Sequence, residues 1–154
     1  MKRTSLTLVL TLVAGVLLAA ITAPGAEAQT IERVFDQGTV WQITYVETKP
    51  NMLRSYMKNL SQVWRAFLEE QKKSGDLVSY KILQVANVRD GEPDLILLTE
   101  FKNMAVFDQS IDEFEAIASK IMGSMEDMQT DNVAREDMRT IRSTVLTREL
   151  RFKK

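Results

Sequence analysis

Neither cysteine nor histidine occurs among the 154 residues. Without cysteine there is no disulfide, no thiolate nucleophile and no lipidated N-terminal cysteine, so stability must come from a core or an oligomer interface. Without histidine the commonest metal ligand, the usual haem ligand and every Ser-His or Cys-His nucleophile arrangement are gone. The six glycines are scattered, which leaves no glycine-rich phosphate loop. Glu126, Asp127, Asp131, Glu136 and Asp137 lack the spacing of a calcium loop. No metal and no cofactor is expected, since a site built of carboxylates alone has nothing to support it. A basic tract is also missing, so a nucleic-acid partner has no electrostatic basis.

What is present begins with an export pattern over residues 1–28. Lys2 and Arg3 precede a nearly continuous apolar stretch from Leu6 to Ile21, Pro24 and Gly25 break it, and Ala26-Glu27-Ala28 offers small residues to a signal peptidase. The apolar run is short for a retained membrane anchor, so cleavage after Ala28 is expected, with a periplasmic or secreted product and no membrane contact thereafter. Once Lys2, Arg3 and Glu27 are set aside, 18 basic and 20 acidic residues remain, a net charge of -2. Residues 29–154 make one domain.

Two apolar runs, Leu77 to Arg89 and Asp94 to Phe101, flank Asp90-Gly91-Glu92-Pro93 and read as a tight hairpin with Arg89 facing Asp94. That register puts Tyr80, Ile82, Ala86 and Val88 on one face with Leu95, Leu97, Thr99 and Phe101. Upstream, Thr39 to Thr48 alternates as a strand, with Trp41, Ile43 and Tyr45 opposite Val40, Gln42, Thr44 and Val46. Asn51 is placed to cap a helix whose stripe is Leu53, Tyr56, Met57, Leu60, Val63, Trp64, Phe67 and Leu68, closed by Gly75. Asn103 opens a second helical region, and Ile111 to Met125 forms its longer helix, interrupted at Gly123. Met128 to Thr140 is charged and reads as a fraying end plus an exposed loop, before a last strand over Ile141 to Phe152.

The order β-α-β-β-α-β implies an α+β, ferredoxin-like domain: a four-stranded antiparallel sheet with two helices on one face. Two helices cover one side of a sheet whose faces are both apolar. The other side, expected to carry Val40, Val46, Leu83, Val85, Ile96 and Leu98, calls for a second copy of the sheet, hence a homodimer. The strand, Pro50-Asn51, the helix bearing Trp64, Gly75 and the hairpin ending Leu97-Leu98-Thr99-Glu100-Phe101-Lys102-Asn103 together resemble the dimeric α+β barrel superfamily. Its members include NIPSNAP-like, antibiotic-biosynthesis-monooxygenase-like and stress-responsive barrel groups, and the likeness spans Val40 to Phe152. That resemblance implies anything from cofactor-free oxygenases and cyclases to haem-handling proteins and binders without chemistry, and fold alone does not choose.

Candidate site residues follow from the expected lumen face: Gln42, Thr44, Lys81 and Glu100, with Arg148 on the last strand as an anion anchor. Lys81 and Glu100 lie diagonally across the hairpin and could pair. Glu100 would then accept a proton or hold a small ligand while Lys81 sets its charge; the plainer reading is a rim salt bridge. Trp41, Tyr45, Trp64 and Tyr80 could line an aromatic pocket, or simply be core. Two functions stay open: an exported homodimer that binds a small apolar or aromatic molecule, or a protein partner, without catalysis; or a cofactor-independent oxygenase or cyclase acting on an aromatic or polyketide-like substrate.

Overall fold

Pro50 and Asn51 set the first corner of the chain. The computed structural model describes residues 31–154, and the export segment read at residues 1–28 lies outside them. Strand β1 (Phe35–Thr48) runs into a turn in which the Met52 N–H donates to the Lys49 carbonyl at 2.9 Å. Pro50 presets the first inner position, and Asn51 sits at φ +66°, the left-handed conformation a type II turn demands and asparagine tolerates. Asn51 therefore shapes the turn and is not the expected cap; the helix starts behind Met52 with no side-chain cap bond.

Residues 53–74 form one rod of three pieces: α1 (Leu53–Asn59), a π-helical segment (Leu60–Trp64) and α2 (Arg65–Ser74). Its cause is legible in the spacing. Tyr56, Leu60, Trp64 and Leu68 recur every four residues, and each such step overshoots an α-helical turn by roughly 40°. The wider π turn takes up part of that drift, so Tyr56, Leu60 and Leu68 all stay buried against one sheet face. Gly75, at φ +84°, ends the rod in a Schellman motif: its N–H donates to Lys72 and that of Asp76 to Gln71.

Strands β2 (Leu77–Gln84) and β3 (Leu95–Phe101) pair with Gln84 opposite Leu95, not Arg89 opposite Asp94. The last cross-strand bond runs from the Val85 N–H to the Asp94 carbonyl at 2.9 Å, and beyond it the chain turns on itself with positive φ at Gly91 (+76°). Asp90-Gly91 is therefore the tip of a loop over residues 85–94, closed by the Glu92 N–H on the Arg89 carbonyl at 3.0 Å. Ala86 and Val88 leave the sheet. The shift is even, so the face assignment of the hairpin survives.

Asn103, as expected, caps the next turn by accepting from the Ala105 N–H; a 3₁₀ segment (Met104–Asp108) follows. Helix α3 (Ile111–Met122) starts on a Ser110/Glu113 capping box and stops at Gly123, φ +92°. The charged stretch beyond is not a loop. Ser124 accepts from the Asp127 N–H and starts helix α4 (Met125–Glu136), with Glu126 and Asp127 in the first turn and Arg135 in the last, each where the helix dipole favours it. Strand β4 (Arg139–Phe152) completes a four-stranded antiparallel sheet in the order β2-β3-β1-β4. The fold is ferredoxin-like α+β.

One face of the sheet meets the helices. Val40, Leu68, Leu77, Phe101 and Val106 form one buried cluster; Val46, Tyr56, Leu60, Leu95 and Leu97 form the other, with Trp64 packed on both. The phase of β1 is the opposite of that expected. Val40 and Val46 are fully buried under the rod, and Trp41, Ile43 and Tyr45 point to the bare side. Bulky Tyr56, Leu60 and Trp64 already fill the space above β1, so its small valines fit there and its large residues do not.

Candidate functional site

The bare face can be read as rows across the sheet, because strand partners share a face. One row runs Lys81, Leu98, Ile43, Val145; the next runs Leu83, Ile96, Tyr45, Ser143; a third runs Ser79, Glu100, Trp41, Thr147. Ile43, Tyr45, Trp41, Ile96 and Leu98 are half-exposed, Leu83 is 47% exposed and Val145 42%. An apolar stripe thus crosses the sheet, with Lys81 and Ser143 at its sides and a hydrogen-bonded polar cluster at one end.

That end is built from four segments. Glu100 accepts from Ser79 Oγ at 2.6 Å and from Thr39 Oγ1 at 2.8 Å. Thr39 Oγ1 also lies 3.2 Å from Glu149 Oε2, but one hydroxyl proton serves one acceptor at a time, and Glu100 is nearer. Arg151 Nε and Nη2 reach the same Glu149 oxygen at 2.9 and 2.6 Å. The Arg151 guanidinium holds the Glu149 carboxyl below the usual carboxylate range. These hydroxyl–carboxylate contacts carry no imidazole or amine between them, so the cluster can bind a hydrogen-bond donor but does not assemble a nucleophile and its base.

The residues picked from sequence divide between the two faces. Lys81 and Glu100 share the bare face and stand diagonally, yet they form no ion pair: Lys81 faces Leu98, and Glu100 is held by hydroxyls. Gln42 and Thr44 follow Val40 and Val46 onto the helix side. There Gln42 borders a cleft of ≈330 Å³ with Gln71, Phe101, Phe107 and Gln109, and Thr44 lies 3.3 Å from Thr144. Arg148 also lies on the helix side, opposite Val40, and donates to Gln37 Oε1 at 2.6 Å. The five therefore form no single site. Trp41 and Tyr45 belong to the bare face, while Trp64 and Tyr80 meet edge to face on the helix side, centroids 5.5 Å apart.

Thr39, Ser79, Glu149 and Arg151 were not picked from sequence. Glu149 and Arg151 share an alternation set on the last strand, but only the pairing of that strand with β1 brings them to Thr39. A second grouping lies between the helices. Trp64, Phe67, Phe114, Met128, Asn132 and Arg135 border a pocket of ≈200 Å³. At its base Asp131 accepts from Asn59 Nδ2 at 2.6 Å and sits 3.1 Å from Arg135 Nε. Burial pulls the Arg135 guanidinium below its ordinary range, against the attraction of Asp131.

No family model matches the chain, and no curated protein does. Among solved structures it is similar to a dimeric ferredoxin-like protein from an uncultured marine organism, at a TM-score of 0.46 and 13% identity, over 77% of this chain and 91% of that one. A dimeric ferredoxin-like protein of unknown function from Thermobifida fusca gives 0.39 and 14%, over 77% and 96%. A NIPSNAP family protein of unknown function from Agrobacterium tumefaciens gives 0.38 and 14%, over 75% and 90%. Likeness at this distance says nothing of activity or assembly; the fold stands on the strand order of the chain itself.

Proposed function

We propose that this chain is an exported homodimer that binds a small apolar or aromatic molecule without catalysing its conversion. One observation carries the reading: the helix-free sheet face, with Trp41, Ile43, Tyr45, Leu83, Ile96, Leu98 and Val145 in contiguous rows. Monomeric soluble proteins rarely leave such a surface in water. A second copy covers it best, because the face carries both charge signs at separate places. Lys81 makes no ion pair among the described residues, and Glu100 lies two positions along the neighbouring strand. A twofold contact sets each residue against a different residue of the partner, so Lys81 of one copy can meet the acidic end of the other. The absence of histidine and cysteine, and a carboxylate cluster already tied to hydroxyls and an arginine, favour binding over chemistry.

The export pattern at residues 1–28 supports a periplasmic or secreted setting. Native mass spectrometry of the protein purified from the export compartment of its host tests both parts. The expected spectrum shows a dimer of chains starting at Gln29, with added mass from a retained small molecule. A bare monomer at micromolar concentration overturns the reading.

A further inference from the structure

We propose that the interhelical pocket beside Trp64 binds a small aromatic carboxylate, with the ring among Trp64, Phe67 and Phe114 and the carboxylate on Arg135. This rests on the reading of the chain as a binding protein, but it uses a surface separate from the bare sheet face, so either can fail alone.

Size comes first. A closed apolar cavity of about 150 Å³ holds benzene. The ≈200 Å³ here suits one ring and a short substituent. Its walls are suitable: Phe67 and Phe114 stack with centroids 6.2 Å apart and planes 26° from parallel, and Trp64 stands beside them. Aromatic walls of this kind favour a flat guest through offset or edge contacts.

Charge comes second. Arg135 is the charged side chain that borders the pocket, and Asp131 and Arg139 both lie close enough to act on it. Arg135 and Asp131 side chains are each only 16% exposed, and Nη2 of Arg135 donates to Asn132. Arg139 lies over the Tyr56 ring at 5.5 Å, and its buried Nε has no hydrogen-bond partner. Although Arg135 Nε is close to Asp131, the two atoms are not aligned for a hydrogen bond. Arg139 borders a separate cleft with Glu136, while the buried Nε of Arg135 is left at this pocket without an aligned acceptor. A buried guanidinium N–H without an acceptor is costly, and a carboxylate is the ligand group that its fork fits.

The backbone comes third. The π segment Leu60–Trp64 contributes Trp64 to the pocket wall. Single π turns inside α-helices occur often at functional sites. Here the wide turn brings Trp64 to the junction of sheet, α2 and pocket.

The test uses the two tryptophans. In a Trp41→Phe variant Trp64 is the only one left, so its emission reports pocket occupancy. Benzoate should change that emission saturably and bind at least about tenfold tighter than benzamide, the neutral isostere, as a charge-assisted contact requires. Acetate, which lacks the ring, should have no effect. Arg135→Gln should remove the preference for benzoate and leave benzamide unchanged. Should that variant fail to fold, Met128→Phe, which fills the pocket and keeps Arg135, should abolish binding of both. Absence of a saturable change with benzoate, equal affinity for benzamide, or full binding by Met128→Phe overturns the assignment. Sedimentation of the wild-type chain, in which Trp41 is intact, keeps the two readings apart: a dimer whose Trp64-only variant ignores benzoate refutes the pocket alone, and a wild-type monomer whose Trp64-only variant binds it refutes the dimer alone.

Discussion

Ile43→Asp is the sharpest test of the proposal that a second copy covers the bare sheet face. Ile43 sits in the middle of the bare side, between Leu98 and Val145, with no cation next to it in its row. Full burial of an isoleucine is worth about 1.5–3 kcal/mol, and most of that is already gained in one chain, so about 0.5–1 kcal/mol per copy is at stake in the contact. A carboxylate buried there without a partner adds about 1–3 kcal/mol per copy. A twofold interface counts each change twice. The total is about 3–8 kcal/mol, a rise in the dimer dissociation constant of roughly two to six powers of ten. In a single chain the same aspartate stands on the uncovered side of the sheet with part of its side chain in water, and should leave far-ultraviolet dichroism and the cooperative melt in place. Sedimentation velocity over nanomolar to micromolar concentration reads the shift, with Ile43→Val as the volume control. The reasoning is refuted by a wild-type chain that stays monomeric throughout, or by an Ile43→Asp dimer as tight as the wild type.

Other consequences follow from single sites. Leu60 is 1% exposed in the core cluster around Tyr56 and Leu95, so Leu60→Ala should lower the unfolding free energy by about 2–5 kcal/mol in urea titrations. Gly123→Ala forces a side chain onto φ +92° and places its Cβ 3.2 Å from Asp127; about 1–2 kcal/mol of stability should be lost, read as a lower melting temperature. Glu70 accepts from Lys120 and Lys73 at 2.5 and 2.6 Å, and these hydrogen bonds lower its pKa below 4.5. A depressed carboxyl contributes stability above its unfolded pKa and loses it as pH falls through the folded one, so the α2–α3 clamp should fade below pH ~4.5. Glu70→Gln should flatten that acid limb of the stability profile and, because the Glu70 hydrogen bond is what raises the Lys73 pKa, also weaken the alkaline limb, leaving the shape near neutral pH unchanged.

Much of the fold was legible because local rules and tertiary needs agree. The parity of the hairpin came from alternation alone, and Tyr80 and Ile82 do share a face with Leu95 and Leu97. Gly75 takes the positive φ that closes a helix, and Asn103 caps with its side-chain oxygen, as the residue types suggest. The misreadings occur where the deciding neighbour is distant in sequence. Alternation shows that Val40 and Val46 oppose Trp41, Ile43 and Tyr45; only the bulk of Tyr56, Leu60 and Trp64 decides which set goes under the rod. The same inversion moved Gln42 and Thr44 off the face that holds Lys81 and Glu100. Helix α4 was missed because its apolar residues make no clear stripe, and its start depends on Ser124 alone. The Glu100 cluster joins Thr39, Ser79 and Glu149, a set that only β-pairing assembles.

Strand β4 brings the strongest pressure toward a partner. It pairs with β1 on one edge only and has no buried residue along its 14 positions. Val145 on the bare side and Leu146 on the helix side are 42% and 43% exposed, so neither layer of this chain covers it. A long apolar edge strand is a template for unwanted pairing, which charged side chains along the edge discourage. β4 carries them: Arg139, Arg142, Arg148 and Arg151 are spread along its length. Arg142 is tied to Glu47, Arg148 to Gln37 and Arg151 to Glu149, all within the chain. The edge is thus guarded while the faces are left apolar. That division fits a strand whose face, not its edge, meets the second copy.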